Sequence, residues 1–244
     1  MSTASRVAIV TGGSRGIGRA VAATLAKAGQ DVAVVYTSND KEADAAVGEI
    51  EAAGARGIAL RADVADEVAA AAAFDTVEQR LGPVDVVVNA AGVMALRPTA
   101  ELDLAELDRL LRVNVRGTFV IAREAARRVR PGGAVIAFST SVTRLHLPSY
   151  GAYAATKGAV EALVPILAKE MGERDVTVNA VAPGPTATEL FLDGKSPQVI
   201  DQIAGLAPTN RLGTPQDIAE VVAFLAGPGR WINGQVVFAN GGAA

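Results

Sequence analysis

The sequence predicts one α/β domain, residues 1–244, built on a doubly wound parallel sheet of about seven strands. Three observations predict it. Short β-branched runs alternate with longer Ala-rich amphipathic stretches along the whole chain. Glycines follow the ends of successive helices. A glycine-rich turn joins the first strand to the first helix. Residues 7–11 are a buried strand, and 16–28 a helix closed by Gly29. Strand 31–36 and helix 41–53 follow, with Gly54 as the stop. Strand 56–61 leads to helix 66–81, ended by Gly82 and Pro83. The valine run in 84–89 suits a strand covered on both faces. A long helix covers 104–130 and is stopped by Pro131, Gly132 and Gly133. Strand 134–138, helix 150–172, strand 177–181, helix 217–225 and strand 235–239 complete the alternation. Residues 183–214 are irregular and rich in Pro, Gly and Thr. Their position after a strand end makes 185–214 a candidate substrate lid.

Composition excludes several function classes. The net charge of −3, without a basic block, argues against nucleic-acid or anionic-membrane partners. There is no cysteine and one histidine, His146, so neither disulfides nor a thiolate or imidazole metal site is expected. No apolar run approaches a membrane span. Residues 1–6 lead directly into the first strand, so no signal peptide is expected, and a cytoplasmic location follows as the simplest reading.

The turn after the first strand reads Thr11-Gly12-Gly13-Ser14-Arg15-Gly16-Ile17-Gly18. Glycines at 12, 16 and 18 let the backbone approach a ligand closely, and the following helix N-terminus offers free N–H groups to a pyrophosphate. The sheet is therefore expected to be Rossmann-type. The second strand ends in Tyr36, Thr37, Ser38 and Asn39, with no carboxylate to hold a ribose diol. Arg15 in the loop can clamp a 2′-phosphate instead. Both features favour NADP(H) over NAD(H). A rival motif overlaps the loop: Gly12-Gly13-Ser14-Arg15-Gly16 matches a nucleophile elbow, with Ser14 as nucleophile and His146 as base. An elbow on the first strand, with no acid placed for the histidine, fits poorly. Tyr153 and Lys157 are four residues apart in a helix, on one face, which makes the phenol a candidate proton donor to a carbonyl.

Taken together these motifs resemble the short-chain dehydrogenase/reductase family in its short single-domain form, near its 3-oxoacyl-carrier-protein reductase-like and carbonyl reductase branch. The likeness spans nearly the whole chain. It rests on the glycine loop, Asp63-Val64, Asn89-Ala90-Ala91-Gly92, Asn114, a serine-rich strand end, Tyr153 with Lys157, and Pro183-Gly184. The resemblance implies Tyr153 as general acid in reduction. Lys157 would hold the nicotinamide ribose and lower the Tyr153 pKa. Asn114, at a break in the long helix, would join a proton relay. It further implies cofactor contacts from Gly12, Ser14, Arg15, Gly16, Ile17 and Gly18, from Thr37 and Ser38, and from Asp63 and Val64 around the adenine. Asn89, Ala90, Ala91 and Gly92 would line the adenosine side, and Pro183, Gly184, Thr186 and Thr188 the nicotinamide side. The family's active-site serine commonly stands thirteen residues before the tyrosine. That position is Thr140, so a loop one residue short would move Ser141 into the role, with Ser139 and Thr140 as register alternatives. The resemblance also implies a homo-oligomer, tetramer or dimer. A small-molecule ketone, secondary alcohol or 3-oxoacyl thioester is the expected substrate. The competing function is a cofactor-binding regulator without turnover. Leu145, Leu147, Phe191 and Leu192 point to a partly apolar pocket, and Pro165 is expected to disturb its helix without reaching the site.

Overall fold

The structure, a computed structural model, describes residues 5–244, so most of the 1–6 segment lies outside the described residues. Among the described residues, seven strands form one parallel sheet: β1 (Val7–Thr11), β2 (Asp31–Tyr36), β3 (Gly57–Arg61), β4 (Val86–Asn89), β5 (Ala134–Phe138), β6 (Thr177–Pro183) and β7 (Val236–Ala239). Their spatial order is β3-β2-β1-β4-β5-β6-β7. The order reverses between β1 and β4, and a ligand crevice opens beyond the carboxyl ends of the strands at such a point. Thr11 lies opposite Asn89 across that junction.

Among the described residues, ten α-helices connect the strands. They are α1 (Gly16–Lys27), α2 (Asp40–Ala52), α3 (Glu67–Arg80), α4 (Leu104–Leu110), α5 (Gly117–Arg128), α6 (Val142–Leu145), α7 (Gly151–Glu170), α8 (Glu189–Leu192), α9 (Pro197–Ala204) and α10 (Pro215–Ala226). Strand alternation divides the core into two layers. Val7, Ile9 and Val87 face Phe74, Val77, Val120, Val160 and Leu167 on α3, α5 and α7. Ala8, Val10, Val86 and Val88 face Val21, Leu25, Ile50, Ile218 and Leu225 on α1, α2 and α10. The strands are apolar on both sides because both sides are covered.

One expected break takes a specific form, and two elements depart from the sequence expectation. The helix over 104–130 breaks at Asn114, as the resemblance implied, and the break takes the form of a π-helical turn, Leu111–Arg116, between α4 and α5. Such a turn shifts the hydrogen-bond ladder by one residue, which periodicity does not reveal. The expected irregular stretch after β6 carries α8 and α9, capped by Thr188 and Ser196. The loop after β5 begins with α6, then turns through left-handed backbone at His146 and Ser149. Pro165 leaves α7 continuous over its 20 residues. Among the described residues no helix is long and apolar enough to cross a membrane.

Phe74 is among the largest fully buried side chains and joins α3 to the sheet. Phe74→Ala should destabilise the fold by about 3–5 kcal/mol, read as a lower urea midpoint with unchanged denaturant slope.

Candidate active site

One cavity of about 950 Å³ runs along the carboxyl ends of the strands, from the glycine loop past Thr37, Ser38 and Asp63 to Tyr153 and Lys157. At the loop end, Gly12 and Gly16 hold positive φ of 64° and 53°. A Cβ on Gly18 would collide with the Gly12 carbonyl, so the first turn of α1 packs directly on the loop backbone. Gly12 N–H donates to Val35 O at 2.8 Å and fixes the loop over β2. Arg15 is the residue preceding α1, and no side chain caps that helix end. Its guanidinium stands 3.7 Å from the Glu189 carboxylate of α8, and both side chains are mostly exposed. Such a pair contributes ~0–1 kcal/mol and yields readily to a better anion. Ser14, Ile17 and Gly18 line the cavity here.

Further along, β2 ends at Tyr36, and no carboxylate stands at Thr37, Ser38 or Asn39; Asn39 instead caps α2 by accepting from Glu42 N–H. The Asp63 carboxylate accepts from Ala65 N–H at 2.9 Å and from Arg112 at 2.6 Å. Burial opposes its ionisation, but the Ala65 N–H and the Arg112 guanidinium outweigh it and hold the carboxyl below its ordinary range. Val64 is buried against Gly117 of α5. Ala90, Ala91 and Gly92 line the cavity. A Cβ on Gly92 would meet Asn114 Oδ1 at 3.4 Å and Lys157 Nζ at 3.5 Å.

Asn89 and Asn114 lie behind the cavity wall in a chain of hydrogen bonds. Thr11 Oγ1 donates to Asn89 Oδ1 at 2.6 Å, and Asn89 Nδ2 to Thr118 Oγ1 at 3.0 Å. Thr118 Oγ1 donates to the Asn114 carbonyl at 2.6 Å. Asn114 Nδ2 donates to Thr156 Oγ1 at 3.1 Å, and Thr156 Oγ1 to the Tyr153 carbonyl at 2.7 Å. Asn114 also clamps Val93, accepting from its N–H and donating to its carbonyl, both at 2.9 Å. Its side chain is thus committed to protein partners, and Asn89 does not line the cavity. Thr118 and Thr156 escaped the sequence reading, and Thr11 was read only as the lead into the glycine loop, because a threonine carries no motif signal of its own.

At the far end, Tyr153 and Lys157 share one face of α7. Lys157 Nζ donates to Phe138 O at 2.9 Å and lies 5.8 Å from the centre of the Tyr153 ring. Burial pulls the Lys157 ammonium down to about 8. Tyr153 keeps some surface on the cavity but is otherwise walled in by protein. Burial pushes its phenol up to about 12, against a lowering contribution from the neighbouring Thr140 hydroxyl. The expected depression of the phenol by Lys157 is not seen: the ammonium donates to a strand carbonyl, and burial dominates at the phenol.

The three hydroxyls after β5 point in different directions. Ser141 Oγ donates back to Ala182 O at 3.3 Å, and Ser139 Oγ donates to Glu161 at 2.5 Å. Thr140 is the one beside the Tyr153 phenol. It stands thirteen residues before Tyr153 and is one of the register alternatives to Ser141. Tyr150, whose phenol is raised by burial, Met94, Leu145, Leu147, Phe191 and Ile203 also line this end. Leu192 does not. Pro183, Gly184, Thr186 and Thr188 form the opposite wall. Thr186 Oγ1 donates to Gly184 O at 2.9 Å, and Thr188 packs 3.5 Å from the position of a Gly16 Cβ. His146 is exposed and outside the cavity lining, so the Ser14–His146 pairing of a hydrolase does not form. Among the described residues no cluster of His, Cys, Asp or Glu is arranged to hold a metal.

The comparisons with known proteins agree with this architecture. A family model described as "Enoyl-(Acyl carrier protein) reductase" matches residues 12–244. A "Short-chain type dehydrogenase/reductase" of Picea abies is 44% identical, with 97% of this chain and 92% of the relative covered. An "NADPH-dependent aldehyde reductase-like protein, chloroplastic" of Arabidopsis thaliana is 42% identical, with 98% of this chain and 94% of the relative covered. The crystal structure of a short chain dehydrogenase from Burkholderia cenocepacia in complex with NADP superposes with a TM-score of 0.92 at 39% identity, covering 99% and 98% of the two chains. This chain belongs to the short-chain dehydrogenase/reductase family.

The buried lysine has a stability signature. Between pH 8 and 10 folded Lys157 gives up its proton while the unfolded lysine, at its ordinary 10.5, keeps it. The unfolded state then binds more protons, so stability rises with pH in that window, by about 2 kcal/mol. Above pH 10 the raised Tyr153 phenol reverses the trend, because the folded state keeps a proton that the unfolded state loses. Urea titrations of the ligand-free protein should show this rise, and Lys157→Met should abolish it.

Proposed function

We propose that this protein is an NADP(H)-dependent carbonyl reductase that interconverts a ketone or aldehyde and its alcohol. The observation that carries the proposal is one continuous cavity with a phosphate-type glycine loop at one end and Tyr153, Thr140 and Lys157 at the other. The residues fit the cofactor. The loop needs glycine for a close backbone approach, the end of β2 is free of a carboxylate, and Arg15 is held only by an exposed ion pair. Gly12, Gly16 and Gly18 would receive the pyrophosphate, with Ser14 and Ile17 beside them. Arg15, Thr37 and Ser38 would receive the 2′-phosphate, and Asp63 and Val64 the adenine. Ala90, Ala91 and Gly92 would line the adenosine ribose. Lys157 would take the nicotinamide ribose, with Pro183, Gly184, Thr186 and Thr188 around the amide and phosphate. The relatives named for NADPH and NADP support this reading.

When bound, NADPH supplies the hydride. Tyr153, protonated at neutral pH, gives its proton to the carbonyl oxygen, so the carbonyl gains one hydride and one proton and leaves as an alcohol. Thr140 orients the carbonyl oxygen and supports the phenolate that remains. Lys157, while protonated, offsets the phenolate charge. Asn114 acts from behind, holding Val93 and α7 in register. Residues 185–214, with α8 and α9, would cover the substrate. Met94, Leu145, Leu147, Phe191 and Ile203 favour a neutral, largely apolar substrate body. The description of the matching family model favours a thioester as the second substrate reading. Exposed Leu111, Phe119 and Ile166 on the α4–α5 and α7 surface support assembly into a homo-oligomer.

NADPH consumption across a panel of aldehydes, ketones, 3-oxoacyl and enoyl thioesters tests the reading. Aldehydes or ketones should be reduced fastest, and NADPH should be preferred to NADH; reversal of either preference would overturn it. Arg15→Ala should raise the KM for NADPH roughly tenfold and spare NADH. Tyr153→Phe should remove turnover. Thr140→Val should lower kcat about 100-fold while Ser141→Ala stays near wild type; the opposite pattern would return the role to Ser141.

A further inference from the structure

We propose that Glu161 is a positioning residue that aligns Thr140 against the Tyr153 phenol. The inference rests on the assignment of Tyr153 and Thr140 made above. Glu161 follows Lys157 by four residues and Tyr153 by eight, so all three lie along one stripe of α7. It does not line the cavity, and its carboxylate reaches instead to the turn between β5 and α6. Glu161 Oε1 accepts from Ser139 Oγ at 2.5 Å and from Thr143 Oγ1 at 2.9 Å. Thr143 Oγ1 also lies 2.9 Å from the Thr140 carbonyl and shares its one proton between the two acceptors.

One carboxylate oxygen therefore holds the turn on both sides of Thr140. Ser139 is gripped from the strand side and Thr143 from the helix side, and the Thr140 backbone is tied to Thr143. The Thr140 hydroxyl also accepts from Val142 N–H at 3.3 Å. With one lone pair taken and its backbone anchored, that hydroxyl has its O–H free for the phenol. Neighbouring Ser139 and Ser141 are spent on Glu161 and Ala182 and cannot replace it. Hydroxyls without such anchorage rotate freely, and a donor that must meet a developing phenolate gains from preorganisation. The titratable groups facing Tyr153 are Tyr150 and Lys157; Glu161 acts on it only through the turn.

The test compares Glu161→Ala, Glu161→Gln and the double variant Ser139→Ala/Thr143→Val in the full chain. Glu161→Ala should lower kcat for carbonyl reduction about 10–100-fold, with KM and fluorescence-measured binding of NADPH within twofold of wild type. Glu161→Gln keeps an acceptor oxygen and should recover kcat to within about threefold. The double variant removes the donors and should reproduce the Glu161→Ala loss, and adding Glu161→Ala to it should cost little more. A readout without turnover is the ionisation of Tyr153 in the ligand-free protein, taken as ultraviolet difference absorbance against Tyr153→Phe. It should move to higher pH in Glu161→Ala. Wild-type kcat and titration in Glu161→Ala would overturn the proposal. Should that variant fail to fold, wild-type kcat in the double variant would overturn it equally. A Tyr153→Phe control separates the two readings: activity retained there sinks the site assignment, whereas activity lost there but kept in Glu161→Ala sinks the Glu161 role alone.

Discussion

The structure depends on a buried chain of hydrogen bonds from β1 to α7. It passes from Thr11 through Asn89, Thr118 and Asn114 to Thr156 and the Tyr153 backbone. Each hydroxyl in it donates once, and the two amides donate onward, so its direction is consistent from end to end. A buried polar group without a partner costs about 1–3 kcal/mol, which gives the chain a single satisfied arrangement. That arrangement sets α7 relative to the strand that launches the glycine loop. The two ends of the cavity are thereby held by one network instead of two independent elements.

The π-helical turn over Leu111–Arg116 is part of the same constraint. It carries Asn114, whose carbonyl accepts from Thr118 and whose amide reaches both Val93 and Thr156. The turn thus places one residue in contact with the strand side and the α7 side of the site. Electrostatics at the cavity end follow from burial. Lys157 donates one of its three N–H groups to Phe138 O and has no carboxylate partner among the described residues, so desolvation lowers its pKa. Tyr153 is raised for the same reason, so the phenol keeps its proton at neutral pH.

Much of this was legible in the residues. The strand runs appeared as β-branched stretches because both faces of the sheet are covered. The glycine loop appeared because Gly12, Gly16 and Gly18 meet steric demands that other residues fail. The Tyr153–Lys157 pair appeared because helical spacing places i and i+4 on one face. The direction of each hydroxyl after β5 was not legible. Ser139, Thr140 and Ser141 differ by one position each, and which one faces Tyr153 depends on how the strand end rotates into α6. Glu161 stood in the same stripe as Tyr153 and Lys157, but spacing alone does not tell a carboxylate in solvent from one gripping a turn.

Local patterns by themselves determined the order of elements, the parallel sheet, the loop beside the first strand and the face shared by Tyr153 and Lys157. Those properties come from steric and periodic constraints acting over a few residues. The tertiary structure alone decided that Thr140 and not Ser141 stands beside the phenol. It also decided that Asn89 and Asn114 sit behind the wall, and that Lys157 donates to the Phe138 carbonyl. Each of these depends on which distant groups compete for one hydrogen bond, and that competition exists only once β1, β4, β5, β6 and α7 are packed together.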